Sequence, residues 1–135
     1  MQKITTFLMF EGQAEEAIDL YTSLFPESEI ISLTRYGPGE PGAEGSVQHA
    51  VFTLNGQTFM AIDSNIQHAF TFTPSMSLYV TCETDEEIDR LYQVLSEEGE
   101  VMMPLDAYPF SAKFSWFADR FGVSWQLSLP HSGAK

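Results

Sequence analysis

The residues of this chain that could do chemistry are few, and the most informative one stands in FADRFGVSWQLSL, residues 117–129. Gln126 occupies a point where an apolar strand would bury its side chains. It could serve as a metal ligand, as a substrate contact, or as an ordinary amide on a solvated face. The first role would indicate a metal enzyme, and the second would indicate a binding protein.

Cysteine and histidine add little to this. Cys82 is the single cysteine, which excludes an intrachain disulfide, and its apolar strand favours a packing role over that of a nucleophile. His49 lies in SVQHAVF, where alternation places it on the same strand face as Val47 and Val51. We therefore interpret His49 as a core or pocket-wall histidine rather than as a metal ligand.

The remaining candidates have simple structural explanations. Asp63 and Asp119 fall at strand ends, where hairpin capping explains a carboxylate. His68 and His131 fall in a loop and in the tail, and we assign them no role. The glycine-rich GPGEPGAEG at 37–45 is not a phosphate-binding loop, because no helix follows it and the Lys-Ser/Thr ending is missing.

The composition is that of an acidic globular protein. Nineteen acidic residues against six basic ones give a net charge of −13, which argues against a nucleic-acid or anionic-membrane partner. A hydrophobic content of 44% supplies a core within 135 residues. No apolar run approaches the length of about 20 residues that a membrane-spanning helix needs. KITTFLMF is interrupted too soon for a signal peptide, so we expect a cytoplasmic protein.

The pattern of apolar residues predicts helices and strands in a regular order. Helices are predicted over 11–28 and 84–99, and strands over 3–10, 28–36, 46–64 as a hairpin, 70–82, 100–108, 112–120 and 123–129, before a tail at 131–135. Pro26 and Gly99 are expected to end the helices, and Thr84 with Glu87 predicts a capping box. The stretch 37–45 is predicted to be a flexible loop.

The order βαβββ occurs twice, and the residues repeat with it. The hairpin glycines Gly56 and Gly122 coincide when the halves are aligned. The matching segments are EEAIDLY (15–21) with EEIDRLY (86–92), and FTLNGQTFMAID (52–63) with ADRFGVSWQLSL (118–129).

This repeat predicts an α+β fold in a single domain, 1–135, built from a first module, 1–66, and a second, 67–135. Each module would form a four-stranded sheet with a helix on one face. The two together would give a curved mixed sheet around a cavity, and clefts at module boundaries are where small ligands bind.

The sequence resembles the vicinal oxygen chelate superfamily, which has the glyoxalase and bleomycin-resistance fold, and within it the PhnB-like group labelled demethylubiquinone methyltransferase. The resemblance covers most of residues 3–130 and is carried by ITTFLMFEGQAEEAIDLYTSLFP, SVQHAVFTLNGQTFMAID, SLYVTCETDEEIDRLY and DRFGVSWQLS. The methyltransferase label finds no support, because the chain lacks the glycine-rich turn and the length of a doubly wound sheet.

In metal-dependent members of the superfamily, four inward-facing positions carry His, Glu or Gln. The resemblance places these positions at Thr6, Met60, Ser77 and Gln126, with an uncertainty of one residue at Ser77. Three of these four side chains are poor ligands for a divalent ion, and one amide cannot hold a metal alone. We therefore expect no metal and no cofactor.

A cavity with aromatic and weakly polar walls then remains. The candidate lining residues are Thr6, Phe7, Tyr36, His49, Met60, Ser77, Tyr79, Trp116 and Gln126. The leading hypothesis is a metal-free protein that binds a small, mostly apolar organic molecule, as the bleomycin-resistance relatives do. The alternatives are an enzyme with an atypical metal site or with His49 as a base, and a structural protein without ligand. The resemblance also implies a homodimer.

Overall fold

Each half of the chain folds into four strands and one helix in the order βαβββ, as the sequence predicts. The computed structural model describes residues 2–131, and the chain divides into two compact units, Met1–Ala69 and Phe70–Lys135. The predicted tail at 131–135 lies outside the described residues beyond His131. No helix among residues 2–131 is long and apolar enough to cross a membrane.

The first unit contains a mixed sheet in the order β1-β4-β3-β2, in which β1 runs parallel to β4 and the other pairs are antiparallel. Its elements are β1 (Thr6–Phe10), α1 (Ala14–Leu24), β2 (Glu29–Arg35), β3 (Val47–Leu54) and β4 (Gln57–Asp63). One face of the sheet buries Phe52, Leu54 and Ala61 beneath the apolar stripe of α1, and this packing forms the core of the unit.

The second unit repeats this topology in the order β5-β8-β7-β6, again with its first and last strands parallel. Its elements are β5 (Leu78–Thr81), α2 (Asp85–Leu95), β6 (Glu100–Tyr108), β7 (Ser111–Ala118) and β8 (Ser124–Leu129). Trp125, Leu127 and Phe117 are buried on the α2 side of the sheet. The fold is therefore α+β with two four-stranded mixed sheets, as predicted.

The two helices begin in different ways. Thr84 caps α2 through its hydroxyl, which accepts the backbone N–H of Glu87 at 3.1 Å, as the capping box predicts. The Glu87 carboxylate accepts the N–H of Glu83 at 2.8 Å. Gln13 makes no side-chain cap for α1, and the carboxylate of Asp63 on β4 accepts the N–H of Ala14 instead. The start of α1 therefore depends on a strand far along the chain.

Several predicted boundaries are wrong. The strand predicted over 70–82 covers only Leu78–Thr81, because Pro74 has no N–H to donate and the N–H of Met76 turns back to the carbonyl of Thr73. The opening strand begins at Thr6 rather than at residue 3. The helix predicted over 11–28 spans Ala14–Leu24, so that it ends shortly before Pro26.

Gly99 does not end α2 as predicted, since the helix stops at Leu95 and Glu98 takes the left-handed conformation with φ 61°. A Cβ at Gly99 would lie 2.0 Å from the backbone oxygen of Ala118. The glycine is required for this close approach of the chain to the end of β7.

Candidate ligand-binding site

The strand β8 turns its side chains alternately toward α2 and away from it. Trp125 and Leu127 are buried on the α2 side, whereas Gln126 is half-buried on the opposite side. We call the side of each sheet that faces away from its helix the helix-free face. Gln126 is therefore neither a core residue nor part of a fully solvated surface.

Two aromatic residues flank Gln126 on the helix-free face. The strand register pairs Gln126 with Trp116 on β7 and with Tyr79 on β5. Because paired residues of neighbouring strands point to the same face, the three side chains form a row across the sheet. The side chain of Trp116 is half-buried, and Tyr79 is 58% exposed. The row thus combines two aromatic rings with one amide between them.

A chain of hydrogen bonds supports this row. The Gln126 Nε2 group donates to Ser77 Oγ at 3.2 Å, and the Oγ atoms of Ser77 and Ser124 lie 2.7 Å apart. The indole Nε1 of Trp116 donates to Ser124 Oγ at 3.0 Å. The structure therefore brings together Ser77, Tyr79, Trp116 and Gln126, all of which were predicted from the sequence.

Ser124 is the member of this cluster that the sequence reasoning missed. It is buried at the start of β8, and its hydroxyl joins Trp116 to Ser77. A signal for it existed, because Ser124 lies two residues before Gln126 and the two-residue period of a strand places both on one face.

The first unit carries an equivalent row made of apolar residues. Met60 on β4 pairs with Phe7 on β1 and with Val51 on β3. Phe7 is 51% exposed, and Met60 and Val51 are half-buried. The row occupies the helix-free face of this sheet, because the alternate residues on β3 and β4 pack under α1. The first unit therefore offers apolar surface where the second offers an amide.

Thr6 does not belong to this row, and its predicted place on the face of Met60 is wrong. The register pairs Thr6 with Phe59, whose ring stacks on the buried Phe52 at a centroid distance of 5.5 Å. Thr6 therefore lies on the α1 side of the sheet, and its neighbour Phe7 lies beside Met60. A slip of one residue in counting along a strand exchanges the two faces.

His49 lies on the helix-free face with Val51, as predicted, and it is half-buried. It does not share that face with Val47, which is buried and pairs with Arg35 on the α1 side. The register shift between Thr34 and Arg35 places an extra residue in β3, and such a bulge reverses the alternation. The imidazole of His49 makes no hydrogen bond within residues 2–131.

Tyr36 closes the base of the loop predicted over 37–45. The backbone N–H of Tyr36 donates to the carbonyl of Ser46 at 2.9 Å, and the carbonyl of Tyr36 accepts the N–H of Gly45 at 2.9 Å. Its ring covers Gly42, where a Cβ would lie 2.2 Å from a ring carbon. In the structure, Tyr36 therefore stabilises this loop through its backbone hydrogen bonds and the contact of its ring with Gly42.

The positions implied for a metal do not fit one. Thr6 and Met60 lie on opposite faces of their sheet, and the amide nitrogen of Gln126 is bonded to Ser77. Hydroxyl, thioether and amide groups are weak partners for divalent transition ions. Among residues 2–131, no three His, Cys, Asp or Glu side chains are placed to hold a metal ion. We therefore derive no chemical step through a metal.

Cys82 is buried beside β8, where its N–H donates to the carbonyl of Ser128 at 2.7 Å. Burial, with a smaller contribution from the Glu87 carboxylate, raises the pKa of the thiol from 9.0 to about 12. A thiol with so high a pKa supplies almost no thiolate at neutral pH. The side chain therefore packs rather than reacts, in agreement with its predicted role.

Asp63 and Asp119 are buried carboxylates that bind backbone N–H groups. Asp63 accepts from Gly12 at 2.8 Å, from Ala14 at 2.9 Å and from Val47 at 2.9 Å. These bonds join the end of β4 to the starts of α1 and β3. Asp63 therefore fastens three segments rather than a single hairpin.

Asp119 follows β7 and organises the turn into β8. One oxygen accepts the N–H groups of Phe121 and Val123 at 2.9 and 3.0 Å, and the other accepts the indole N–H of Trp125 at 2.9 Å. This is the predicted capping role, extended to a core indole.

These two βαβββ units define a class of fold, which is the glyoxalase-like fold. A glyoxylase/bleomycin resistance protein/dioxygenase domain from Frankia sp. EAN1pec shares the fold, with a TM-score of 0.67 at 13% sequence identity over 99% of this chain and 96% of that one.

The chain belongs to the PhnB-like family, whose model, described as 3-demethylubiquinone-9 3-methyltransferase, matches residues 2–128. A PhnB protein from Bacillus cereus under the same description is 65% identical over 95% of this chain and 99% of its own, with a TM-score of 0.94. Protein PA1353 from Pseudomonas aeruginosa is 26% identical over 96% and 98%, with a TM-score of 0.83. No match was found among curated proteins.

The methyl transfer in the family's description finds no support in the sheets of this chain. Each sheet has four strands in mixed orientation, whereas the doubly wound sheet associated with such enzymes is mostly parallel. Function is therefore better argued from the helix-free faces than from the family's description.

Proposed function

We propose that this chain binds a small, mostly apolar organic molecule without a metal, for sequestration. The observation that carries the proposal is the row of Tyr79, Gln126 and Trp116, in which a hydrogen-bonded amide stands between two partly exposed rings. Small-molecule sites typically combine aromatic walls with a few placed polar groups. Within its own unit, the row of Phe7, Met60 and Val51 also leaves partly exposed apolar surface on the helix-free face, which supports binding of an apolar molecule.

Charge favours an uncharged ligand. The side chains of the row and of Ser77 and Ser124 carry no formal charge, and the chain as a whole carries −13. An anionic ligand would meet a repulsive long-range field and no cation at the row.

Native mass spectrometry of the full chain, purified without added metal and followed by metal analysis, tests the proposal. We expect the mass spectrum to show a retained organic molecule, or stoichiometric uptake of a hydrophobic probe such as 2-naphthamide. We expect the metal analysis to find less than one equivalent of metal per chain. Tight uptake of Ni²⁺, Zn²⁺ or Fe²⁺ that is lost in Gln126→Ala would contradict the proposal. Failure of any apolar probe to bind would favour a purely structural protein.

A second candidate function is metal-free proton transfer with His49 as the base. Its imidazole is half-buried on the helix-free face beside Val51 and has no hydrogen-bond partner within residues 2–131, which favours access to a bound molecule. If the wild-type chain converts its retained molecule, His49→Ala should abolish the conversion. The exposed His131 provides the control, since His131→Ala should leave turnover unchanged.

The chain is also proposed to form a homodimer. The edge strands β2 and β6 carry the exposed side chains of Ile31 and Val101, and exposed apolar residues on unpaired edges favour association. Sedimentation velocity should give a dimer at micromolar concentration, and a monomer there would contradict this proposal.

A further inference from the structure

The two hydroxyl groups beneath Gln126 carry one more hydrogen than their neighbours accept. Ser77 and Ser124 have one hydroxyl hydrogen each, and the 2.7 Å contact between their oxygens uses one of the two. Trp116 brings its indole N–H donor at 3.0 Å, and the Gln126 amide, in the orientation that the structure assigns to it, brings its Nε2 donor at 3.2 Å. Within residues 2–131 neither hydroxyl donates to a further acceptor, so one hydrogen is left to point at a ligand.

Burial decides which serine presents that hydrogen. Ser124 is buried at 2% exposure, whereas Ser77 is half-buried. An unpaired hydroxyl hydrogen is more costly at the buried position, because neither water nor ligand reaches it there. Ser124 therefore donates to Ser77, and the free hydrogen belongs to Ser77. In this arrangement Ser77 accepts from both Ser124 and Gln126, so it can only donate to a third group.

Gln126 supplies the complementary group. Its Nε2 is bonded to Ser77, which leaves Oε1 of the same amide as an acceptor without a hydrogen bond in the described part of the chain. The helix-free face thus presents one donor, the hydroxyl of Ser77, next to one acceptor, the carbonyl of Gln126. The rings of Tyr79 and Trp116 flank the pair.

We infer that the ligand carries an uncharged amide edge, a carbonyl oxygen beside an N–H group as in a carboxamide or lactam, on a flat apolar body. This inference rests on the proposed function and names its ligand class. The ligand carbonyl accepts from Ser77, the ligand N–H donates to Gln126 Oε1, and the flat body contacts Tyr79 and Trp116. A carboxylate fits poorly, because it would turn an anionic oxygen toward Gln126 Oε1 with no cation in the cluster.

Three naphthalene derivatives of nearly equal size separate the contributions of the ligand carbonyl, the ligand N–H and a negative charge to binding. 2-Naphthamide offers the carbonyl and the N–H, 2-acetonaphthone offers the carbonyl alone, and 2-naphthoate offers a carboxylate. Isothermal titration calorimetry on the full wild-type chain should give dissociation constants that rise in that order. Loss of one hydrogen bond should weaken binding by about tenfold, and the unpaired anion should weaken it by about a further tenfold or more.

Variants assign each bond to its residue. Gln126→Leu should raise the dissociation constant of 2-naphthamide by about tenfold, because the ligand N–H loses its acceptor. The dissociation constant of 2-acetonaphthone should stay the same, because the ketone has no N–H that could bind Gln126. Ser77→Ala should weaken both ligands, because both use the hydroxyl. The controls are Gln93→Leu and Ser23→Ala, which alter exposed side chains of α2 and α1 and should change neither constant. Gln126→Glu should shift the preference to the cationic 2-naphthamidine.

The outcomes separate this inference from the proposed function. Equal affinity for all three wild-type ligands, or tightest binding of 2-naphthoate, would overturn the amide inference and leave small-molecule binding intact. An equal effect of Gln126→Leu on amide and ketone would also overturn it. Binding of none of the three would overturn the proposed function, and the inference with it.

Discussion

Met60 and Gln126 occupy the same register position in the two sheets. Each lies four residues after a hairpin glycine and pairs with an aromatic residue on a parallel edge strand, Phe7 for Met60 and Tyr79 for Gln126. The internal repeat has therefore kept its geometry while its side-chain chemistry has diverged. One row is apolar, and the other contains the amide on which the proposed ligand site depends.

Asp63→Asn should lower the free energy of unfolding by about 2 to 3 kcal/mol. The carboxylate accepts three backbone N–H groups from Gly12, Ala14 and Val47, and an amide must turn an NH₂ group toward at least one of them. Urea denaturation measures the change. Asp19→Asn on the exposed side of α1 is the matched control, and an equal loss in both variants would contradict this account.

Thr84→Ala should destabilise the protein by about 1 kcal/mol, because the variant loses the cap on the N–H of Glu87. Gln13→Ala changes the corresponding position of α1, where no side-chain cap exists, and should have little effect. Thermal unfolding by circular dichroism compares the two variants directly. The reverse order of the two effects would show that the caps are assigned wrongly.

Gly99→Ala should destabilise the protein by about 1 to 3 kcal/mol, because the new methyl group would overlap the backbone oxygen of Ala118. Gly37→Ala is the control, since its Cβ would meet only the flexible side chain of Glu40 at 3.3 Å. Chemical denaturation of both variants gives the comparison. A neutral Gly99→Ala would mean that the chain separates easily at this point.

Trp125→Phe should cost more stability than Trp116→Phe. Trp125 is fully buried and donates to the carboxylate of Asp119, which would lose this N–H partner in the variant. We expect a loss of about 2 to 4 kcal/mol for Trp125→Phe. Trp116 is half-buried, so its replacement should mainly affect ligand affinity. Equal unfolding midpoints would contradict the prediction.

Cys82 should make stability fall at high pH. The folded-state pKa of about 12 lies above the ordinary 9.0, so the unfolded chain releases the thiol proton first as pH rises. The contribution of the Cys82 thiol to the free energy of unfolding is therefore complete below pH 9.0 and is lost progressively as the pH rises toward about 12. Denaturation of wild type and Cys82→Ala across this range measures it, and parallel pH profiles would contradict it.

The periodicity of apolar residues predicts the order of the elements, and the family resemblance implies the inward-facing position of Gln126, but neither shows which residues pair between strands. The residues before Leu78 have strand propensity, yet within the predicted strand 70–82 only Leu78–Thr81 pairs with β8. Thr6 was misplaced because its position was counted back across the turn before α1, and one residue of difference in that turn exchanges the faces. The bond from Trp116 to Ser124 joins adjacent strands, and the pairing that creates it exists only in the folded sheet.

Because the two helices are capped differently, we expect the two halves of the chain to fold with different kinetics. Thr84 lies next to the helix that it caps, so the start of α2 can be satisfied by local contacts as soon as that segment turns. The first turn of α1 must wait for Asp63, which is 49 residues from Ala14 and arrives only when β4 has joined the sheet. Pulsed amide exchange during refolding should therefore protect α2 before the N-terminal turn of α1, with the amides of Gly12, Ala14 and Val47 becoming protected together.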